Sequence, residues 1–122
     1  MTTKRIFLPG LILCLFNIFL FQSFAQGPAD TRQFTVTGKV IDDELEVPLE
    51  YATISIVNVN DPSDLTGGVT NANGEFSIDV QKGTYNIIVE FISYESKTFN
   101  NRTIDSDLNL GTIKLGLGSE NL

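Results

Sequence analysis

Four groups of residues in this 122-residue chain have types and spacings that could support chemistry. The segment 71–75, Asn-Ala-Asn-Gly-Glu, has residues in common with calcium-binding loops, and the segment 42–46, Asp-Asp-Glu-Leu-Glu, concentrates carboxylates. Lys39 and Asn109 are of the types that form isopeptide bonds within sandwich domains. Aromatic rings that could stack on a sugar belong to Tyr51, Tyr85 and Tyr94.

The spacing around Gly74 argues against a calcium loop. When Gly74 is aligned with the glycine of an EF-hand loop, two asparagines take ligand positions, but Val69 takes the first one. Val80 stands where the bidentate glutamate is required, six residues after the glycine. We therefore interpret 71–75 as a turn and 42–46 as a solvated loop, and we expect no metal site.

The residue types that most enzymes use are missing from the sequence. It contains no His, and its single Cys, Cys14, lies in an apolar N-terminal segment. Without His there is no imidazole to ligate zinc, to act as a general base or to activate a nucleophile. We therefore expect no catalytic residue, no bound cofactor and no disulfide, and we predict that the chain is not an enzyme.

The formal charge of −7 limits the choice of partners. An acidic surface repels phosphate backbones and anionic lipids, which argues against binding to nucleic acid. It favours a partner with a basic surface, and such association weakens as salt is added.

Residues 1–25 are typical of a cleaved export signal. Two basic residues precede an apolar run at 6–21, and Ser-Phe-Ala at 23–25 is typical of a signal-peptidase site before Gln26. The run is shorter than the roughly 20 residues that a membrane-spanning helix needs, and Pro9 would interrupt such a helix. The mature protein is therefore expected to leave the cytoplasm.

After a polar linker at 26–33, apolar and polar residues alternate as they do in half-buried strands. Turn signals separate seven predicted strands, at 34–41, 51–59, 68–70, 75–80, 84–91, 97–100 and 108–115. This pattern predicts an all-β fold, a seven-stranded antiparallel β-sandwich over 34–115. A flexible tail is expected at 116–122, because its glycines and serine are typical of tethers.

Local signals refine this prediction. Asn73-Gly74 predicts a hairpin that pairs 68–70 with 76–80, with positive φ at both turn residues. In the last strand the apolar residues change from even positions, Leu108 and Leu110, to odd positions, Ile113 and Leu115. This change predicts a bulge near Gly111. The inward-facing residues predict a core of Phe34, Val36, Val40, Ala52, Ile54, Ile56, Phe76, Ile78, Tyr85, Ile87, Val89 and Phe91.

The alternation of inward-facing and outward-facing residues also bears on the isopeptide and sugar-binding candidates. It places Lys39 and Asn109 on the solvent side, where an isopeptide bond is not promoted. Tyr85 is predicted to be a core residue, and Tyr51 and Tyr94 are predicted to be partly exposed.

Five motifs follow one another in an order that resembles a known family. They are VTGKVID at 36–42, PLEYATI at 48–54, TNANGEF at 70–76, GTY at 83–85 and SYE at 93–95. Together they resemble the carboxypeptidase regulatory-like domain, a transthyretin-like seven-stranded sandwich. A signal peptide directly before this domain is similar to the N-terminus of TonB-dependent receptors and related outer-membrane β-barrel family proteins.

This resemblance implies a non-catalytic accessory module in the periplasm or outer membrane of a Gram-negative bacterium. In those receptors the sandwich precedes a plug and a barrel, so the implied partners are envelope proteins, a plug or barrel domain among them. The sequence ends at residue 122 without a series of barrel strands, so we expect a truncated or stand-alone form. Edge strands of the sandwich could accept a partner strand. The alternative is a free-standing secreted module that binds a glycan or a cell-surface ligand.

Overall fold

The computed structural model describes residue 27 and residues 31–118, so the predicted signal peptide lies outside the described residues. Seven strands follow one another: β1 (Gln33–Asp42), β2 (Thr53–Asn58), β3 (Leu65–Val69), β4 (Glu75–Gln81), β5 (Gly83–Glu90), β6 (Lys97–Ile104) and β7 (Leu108–Leu115). The described part of the chain contains no helix that is long and apolar enough to cross a membrane.

The strands form two sheets, one with the order β4-β1-β7 and the other with the order β3-β2-β5-β6. This confirms the predicted seven-stranded sandwich. One strand pair differs from the antiparallel prediction, because β1 and β7 run parallel, with Val40 opposite Ile113. The chain reaches β7 by crossing from the second sheet to the first, and a crossover of this kind allows parallel pairing.

The core lies between the two sheets and consists almost entirely of aliphatic side chains. Ten of the twelve predicted core residues are buried, and Phe34 and Phe91 pack against them while partly buried. The prediction omitted further buried residues, namely Ile41, Leu49, Val80, Ile104, Ile113 and Leu115. Ile104 was missed because β6 buries only this last residue, so the strand has no alternating pattern.

The predicted bulge in β7 is confirmed. Thr37 pairs with Asn109, whereas Lys39 pairs with Thr112, so one extra residue is accommodated on β7. Gly111 lies in this extra stretch and has a φ of 69°. The bulge turns the apolar side chains of the second half of the strand toward the core.

The predicted hairpin at Asn73-Gly74 is wrong, because β3 pairs with β2 and β4 pairs with β1. The turn instead connects the two sheets, and it is closed by the bond from the Asn71 N–H to the carbonyl of Glu75. Only Gly74 has a positive φ, of 74°. A turn in which glycine alone takes the left-handed position satisfies the same sequence signal.

The prediction that 42–46 is a solvated loop is wrong for Asp42, the last residue of β1. Asp42 is only 5% exposed. Its Oδ1 accepts hydrogen bonds from the backbone N–H groups of Glu44, at 2.8 Å, and Leu45, at 2.7 Å. Its Oδ2 accepts a bond of 2.6 Å from the hydroxyl of Tyr94. The carboxylate therefore joins the β1–β2 connection to the β5–β6 connection.

These bonds change the acidity of both side chains. The N–H of Leu45, the hydroxyl of Tyr94 and the N–H of Glu44 together hold the pKa of Asp42 below its usual value. The bond to the Asp42 carboxylate raises the pKa of Tyr94, because it stabilises the protonated hydroxyl.

The strand directions bring four segments to one end of the sandwich, which we call the loop end: 43–52, 70–74, 91–96 and 116–118. The last of these belongs to the predicted tail, yet it is bonded to the β5–β6 connection. Glu95 N–H donates to the carbonyl of Gly116, and Gly118 N–H donates to the carbonyl of Ser93, both at 2.9 Å.

We expect Gly74→Val to destabilise the fold more than Gly111→Val. A side chain in the left-handed region costs about 1–3 kcal/mol at either position. At Gly74 a Cβ would also clash with the carbonyl oxygen of Val40, whereas at Gly111 nothing lies within 4 Å. Urea unfolding of the two variants measures the difference, and equal losses of stability would contradict the described turn.

We expect Tyr94→Phe to lower the free energy of unfolding at neutral pH, and the deficit to shrink in acid. Because the folded pKa of Asp42 is lowered, the stability from its carboxylate is present above the unfolded pKa, about 3.9. That stability is lost as the pH falls through the lower folded value. Urea unfolding at neutral pH and in strong acid measures both deficits.

The matched control for this comparison is Tyr51→Phe, since Tyr51 is largely exposed. We expect it to behave as the wild type at both pH values. A deficit for Tyr94→Phe that is the same in acid as at neutral pH would show that its hydroxyl does not act through the Asp42 carboxylate.

Candidate functional site

The loop end carries most of the large hydrophobic side chains that the described residues expose. Seven such side chains are exposed, and two of these, Leu65 and Val69, lie on β3. The other five lie in the segments of the loop end: Leu45, Val47, Tyr51, Ile92 and Leu117. Concentrated exposed apolar surface of this kind is typical of a binding surface.

A cleft of about 530 Å³ lies within the loop end, and we call it the tyrosine cleft. The rings of Phe91 and Tyr94 lie 5.3 Å apart at an angle of 60° in its lining. Tyr51, which is 70% exposed, and Ile92, which is 83% exposed, also line it. Its polar lining comes from Thr53, Glu90 and Ser96.

The position of Tyr51 is fixed by a buried threonine. Tyr51 N–H donates to the carbonyl of Thr70 at 3.1 Å, and Ala52 N–H donates to the Thr70 hydroxyl at 2.9 Å. That hydroxyl in turn donates to the carbonyl of Leu49. These bonds hold Tyr51 at a φ of 64°, a left-handed conformation that a tyrosine rarely adopts.

The opposite side of the tyrosine cleft is fixed in a similar way. Tyr94 N–H donates to the carbonyl of Phe91 at 2.9 Å, which closes a tight turn. Ser93 within this turn has a φ of 69°. Of the four described non-glycine residues with positive φ, three lie at the loop end: Glu46, Tyr51 and Ser93. Strained backbone that the surrounding bonds maintain is concentrated at functional sites.

The loop end is strongly acidic. Exposed carboxylates in or beside its segments belong to Asp43, Glu44, Glu46, Glu50, Glu75, Glu90 and Glu95. Glu46 pairs with Lys114 at 3.4 Å, but both side chains are exposed, so this pair contributes little to stability. Glu90, in the tyrosine cleft, makes no ion pair within the described part of the chain.

The isopeptide candidates lie elsewhere, on the outer face of the first sheet. Lys39 and Asn109 both line a second cleft of about 490 Å³, together with Glu75. Asn109 is exposed and Lys39 is partly exposed, in accord with the predicted parity.

The calcium-loop candidate forms a turn. The side-chain oxygen of Asn71 accepts bonds from the N–H groups of Asn73 and Glu75, each at 3.0 Å, so it stabilises the turn. Among residue 27 and residues 31–118, no three His, Cys, Asp or Glu side chains are grouped so that they could hold a metal ion.

The three tyrosines follow the predicted division. Tyr85 is buried, and its hydroxyl donates to the carbonyl of Gln81 at 2.9 Å. Burial raises the pKa of the Tyr85 hydroxyl. Tyr51 is exposed and Tyr94 is half-buried, and both line one cleft, which no sequence pattern predicted.

One signal in the sequence could have located the loop end. Leu45 and Ile92 are large apolar residues in connections between strands, where polar residues are the rule. Both residues are exposed, and exposed apolar residues that gather at one end of a fold are typical of a contact surface.

Residues 36–116 match the family model of the CarboxypepD_reg-like domain. No curated protein matches the chain. A similar solved structure is a type II cohesin–X-dockerin complex from Acetivibrio cellulolyticus with a mutation at the C-terminal interface. A chain of that complex is 26% identical with a TM-score of 0.55, and the match covers 73% of this chain and 61% of that chain. The present chain thus matches about three fifths of the length of its structural relative.

Two further solved structures show the fold alone, because their identities are low. The 3-chlorocatechol 1,2-dioxygenase of Rhodococcus opacus 1CP is 12% identical with a TM-score of 0.55, over 75% of this chain and 63% of that chain. The shaft pilin spaA of Lactobacillus rhamnosus GG is 14% identical with a TM-score of 0.52, over 75% and 50%. Because the family model spans the sandwich from β1 to the end of β7, the chain belongs to the carboxypeptidase regulatory-like domain family.

Proposed function

We propose that this chain is a non-catalytic docking module of a bacterial outer-membrane receptor of the TonB-dependent type. In this proposal residues 1–25 direct export, and the sandwich acts in the periplasm or at the outer membrane by binding an envelope protein. A plug or barrel domain is one such partner. The observation that carries the docking function is the loop end, where five large apolar side chains are exposed and three non-glycine residues have a positive φ.

The composition of the loop end supports contact with a protein. Aromatic and large aliphatic side chains form the centres of protein interfaces, and charged side chains surround them. The loop end has both features, with Tyr51 and Ile92 among acidic residues. Turns that are already fixed by Thr70 and Asp42 lose little entropy on binding, which favours affinity.

The comparisons support the same function. The chain belongs to the domain family that precedes the plug and barrel in the receptors that its sequence resembles. The solved structure from Acetivibrio cellulolyticus is described as a complex between protein modules. The receptor context rests on the order of the export signal and the domain in the sequence.

The absence of catalysis is supported by the chemistry of the residues. The sequence contains no His, and its one Cys lies in the predicted signal peptide. Among the described residues that line the tyrosine cleft, Glu90 is the sole carboxylate, so no carboxylate pair is present there for acid–base chemistry.

A glycan-binding function is the second candidate, and the tyrosine cleft is the observation that favours it. Three aromatic rings line the cleft together with the hydroxyls of Thr53 and Ser96. Aromatic faces beside hydroxyl groups suit a sugar ring. In this case the chain acts as a secreted module that is independent of a receptor.

Affinity capture from the envelope of the bacterium that encodes the full chain tests the proposal. We expect the tagged chain to begin at Gln26, to fractionate with the envelope and to retain a protein partner at low salt. High salt should release this partner, because ions screen charges beyond about 10 Å at 0.1 M.

Two variants make the capture experiment specific. Ile92→Ser should reduce retention of the partner, whereas Leu65→Ser should not, since Leu65 is 60% exposed but lies at the opposite end of the sandwich. If no protein is retained at low salt while a soluble glycan binds with micromolar affinity, the docking function is wrong and the glycan-binding function replaces it.

A further inference from the structure

We propose that the tyrosine cleft receives an arginine side chain of the protein partner, stacked on Tyr51 and paired with Glu90. This inference rests on the proposed docking function and specifies the chemistry of the partner. It follows from the aromatic lining of the cleft, from the unpaired carboxylate within it and from the charge around it.

The lining of the cleft suits the two parts of an arginine side chain. Phe91, Tyr94 and Ile92 present apolar surface against which the aliphatic stem can pack. Tyr51 is 70% exposed, so its ring can be reached by a planar guanidinium. Guanidinium groups stack on aromatic faces more readily than the compact ammonium of lysine does.

Glu90 supplies a negative charge that can pair with the guanidinium of an arginine. It ends β5 directly opposite Thr53, and both residues line the cleft. No Lys or Arg is among the described residues that line the cleft, and Glu90 makes no ion pair within residues 31–118. Its carboxylate is therefore free to accept a bidentate pair from a guanidinium.

The neighbouring polar groups are already committed. Both carboxylate oxygens of Asp42 accept bonds from within the chain, and the hydroxyl of Tyr94 donates to one of them. These groups hold the cleft in shape and leave Glu90 to bind the ligand. The exposed carboxylates of Glu50 and Glu95, which precede or follow cleft tyrosines in the sequence, add a field that attracts a cation and repels an acidic side chain.

Other occupants satisfy the cleft less completely. A purely aliphatic side chain would cover the rings but would leave the Glu90 carboxylate partly desolvated without a partner. A neutral sugar could bond with Thr53 and Ser96, yet it would gain nothing from the acidic field of the loop end. An arginine side chain stacks on the rings, pairs with the carboxylate and is attracted by the acidic field.

The test is a titration of the ¹⁵N-labelled full chain with capped peptides, followed by NMR. The peptides share the sequence Gly-Ser-Leu-X-Leu-Ser-Gly, with Arg, Lys, citrulline or Glu at X. Citrulline keeps the shape of arginine but lacks its charge. We expect the arginine peptide to shift the resonances of 51–53 and 90–94, and to bind about tenfold more tightly than the citrulline peptide.

Single variants assign the contacts. Glu90→Gln and Tyr51→Ser should each weaken binding of the arginine peptide about tenfold. Asp105→Asn and Leu65→Ser are the matched controls, because they change an exposed carboxylate and an exposed apolar residue at the opposite end of the sandwich, and they should leave binding unchanged. The spectrum of each variant shows directly whether the sandwich is folded.

Three results would overturn the inference: no binding of the arginine peptide at millimolar concentration, equal binding of the citrulline peptide, or shifts confined to residues outside the cleft. If one of these occurs while Ile92→Ser still abolishes capture of the envelope partner, docking stands without the arginine contact. If a soluble oligosaccharide shifts the cleft resonances and the arginine peptide does not, the cleft is a glycan site and both proposals fail.

Discussion

The bonds to the buried carboxylate of Asp42 are the constraint on which the loop end depends. Asp42 ends the central strand of the first sheet. Its position is fixed on one side by pairing with Leu115 of β7 and on the other by the bond from its N–H to the carbonyl of Val47. A carboxylate buried there must be supplied with donors, because leaving it without them is costly. The donors come from Leu45 and Glu44 in one connection and from Tyr94 in another. One side chain thereby sets the distance between two segments that are far apart in the sequence.

The topology determines which segments Asp42 can join. Because β7 runs parallel to β1, the chain leaves the sandwich at the same end at which β1 finishes, and residues 116–118 bond to the β5–β6 connection. Thr70 fixes Tyr51 on the other side of the cleft. The sheets provide a rigid base, and the connections carry the exposed aromatic and acidic groups, which is the usual division of labour in sandwich domains.

The alternation of apolar residues predicted the sandwich and most of its core because burial on one face of a strand imposes a period of two. It failed where a strand is largely solvated, as in β6. Asn73-Gly74 encodes the geometry of a turn but does not specify the strand that β4 pairs with, so the hairpin was wrong. The burial of Asp42 depends on Tyr94, 52 residues away, and therefore left no local signal. Tyr51 and Tyr94 were recognised singly, but their shared cleft depends on how β2 and β5 pair and on the turn that follows β5.

The central claim is that the loop end contacts a protein, and photo-crosslinking in living bacteria tests it most directly. Benzoylphenylalanine is placed at position 92 of the full chain, in the loop end, or at position 65. Position 65 begins β3 and lies at the opposite end of the sandwich. Both sites are exposed, so both probes can react with a neighbour. We predict that position 92 crosslinks to one envelope protein, at a peptide that contains arginine, and that position 65 gives no such product. Crosslinks that are equal at the two positions, or absent at position 92, would contradict the claim.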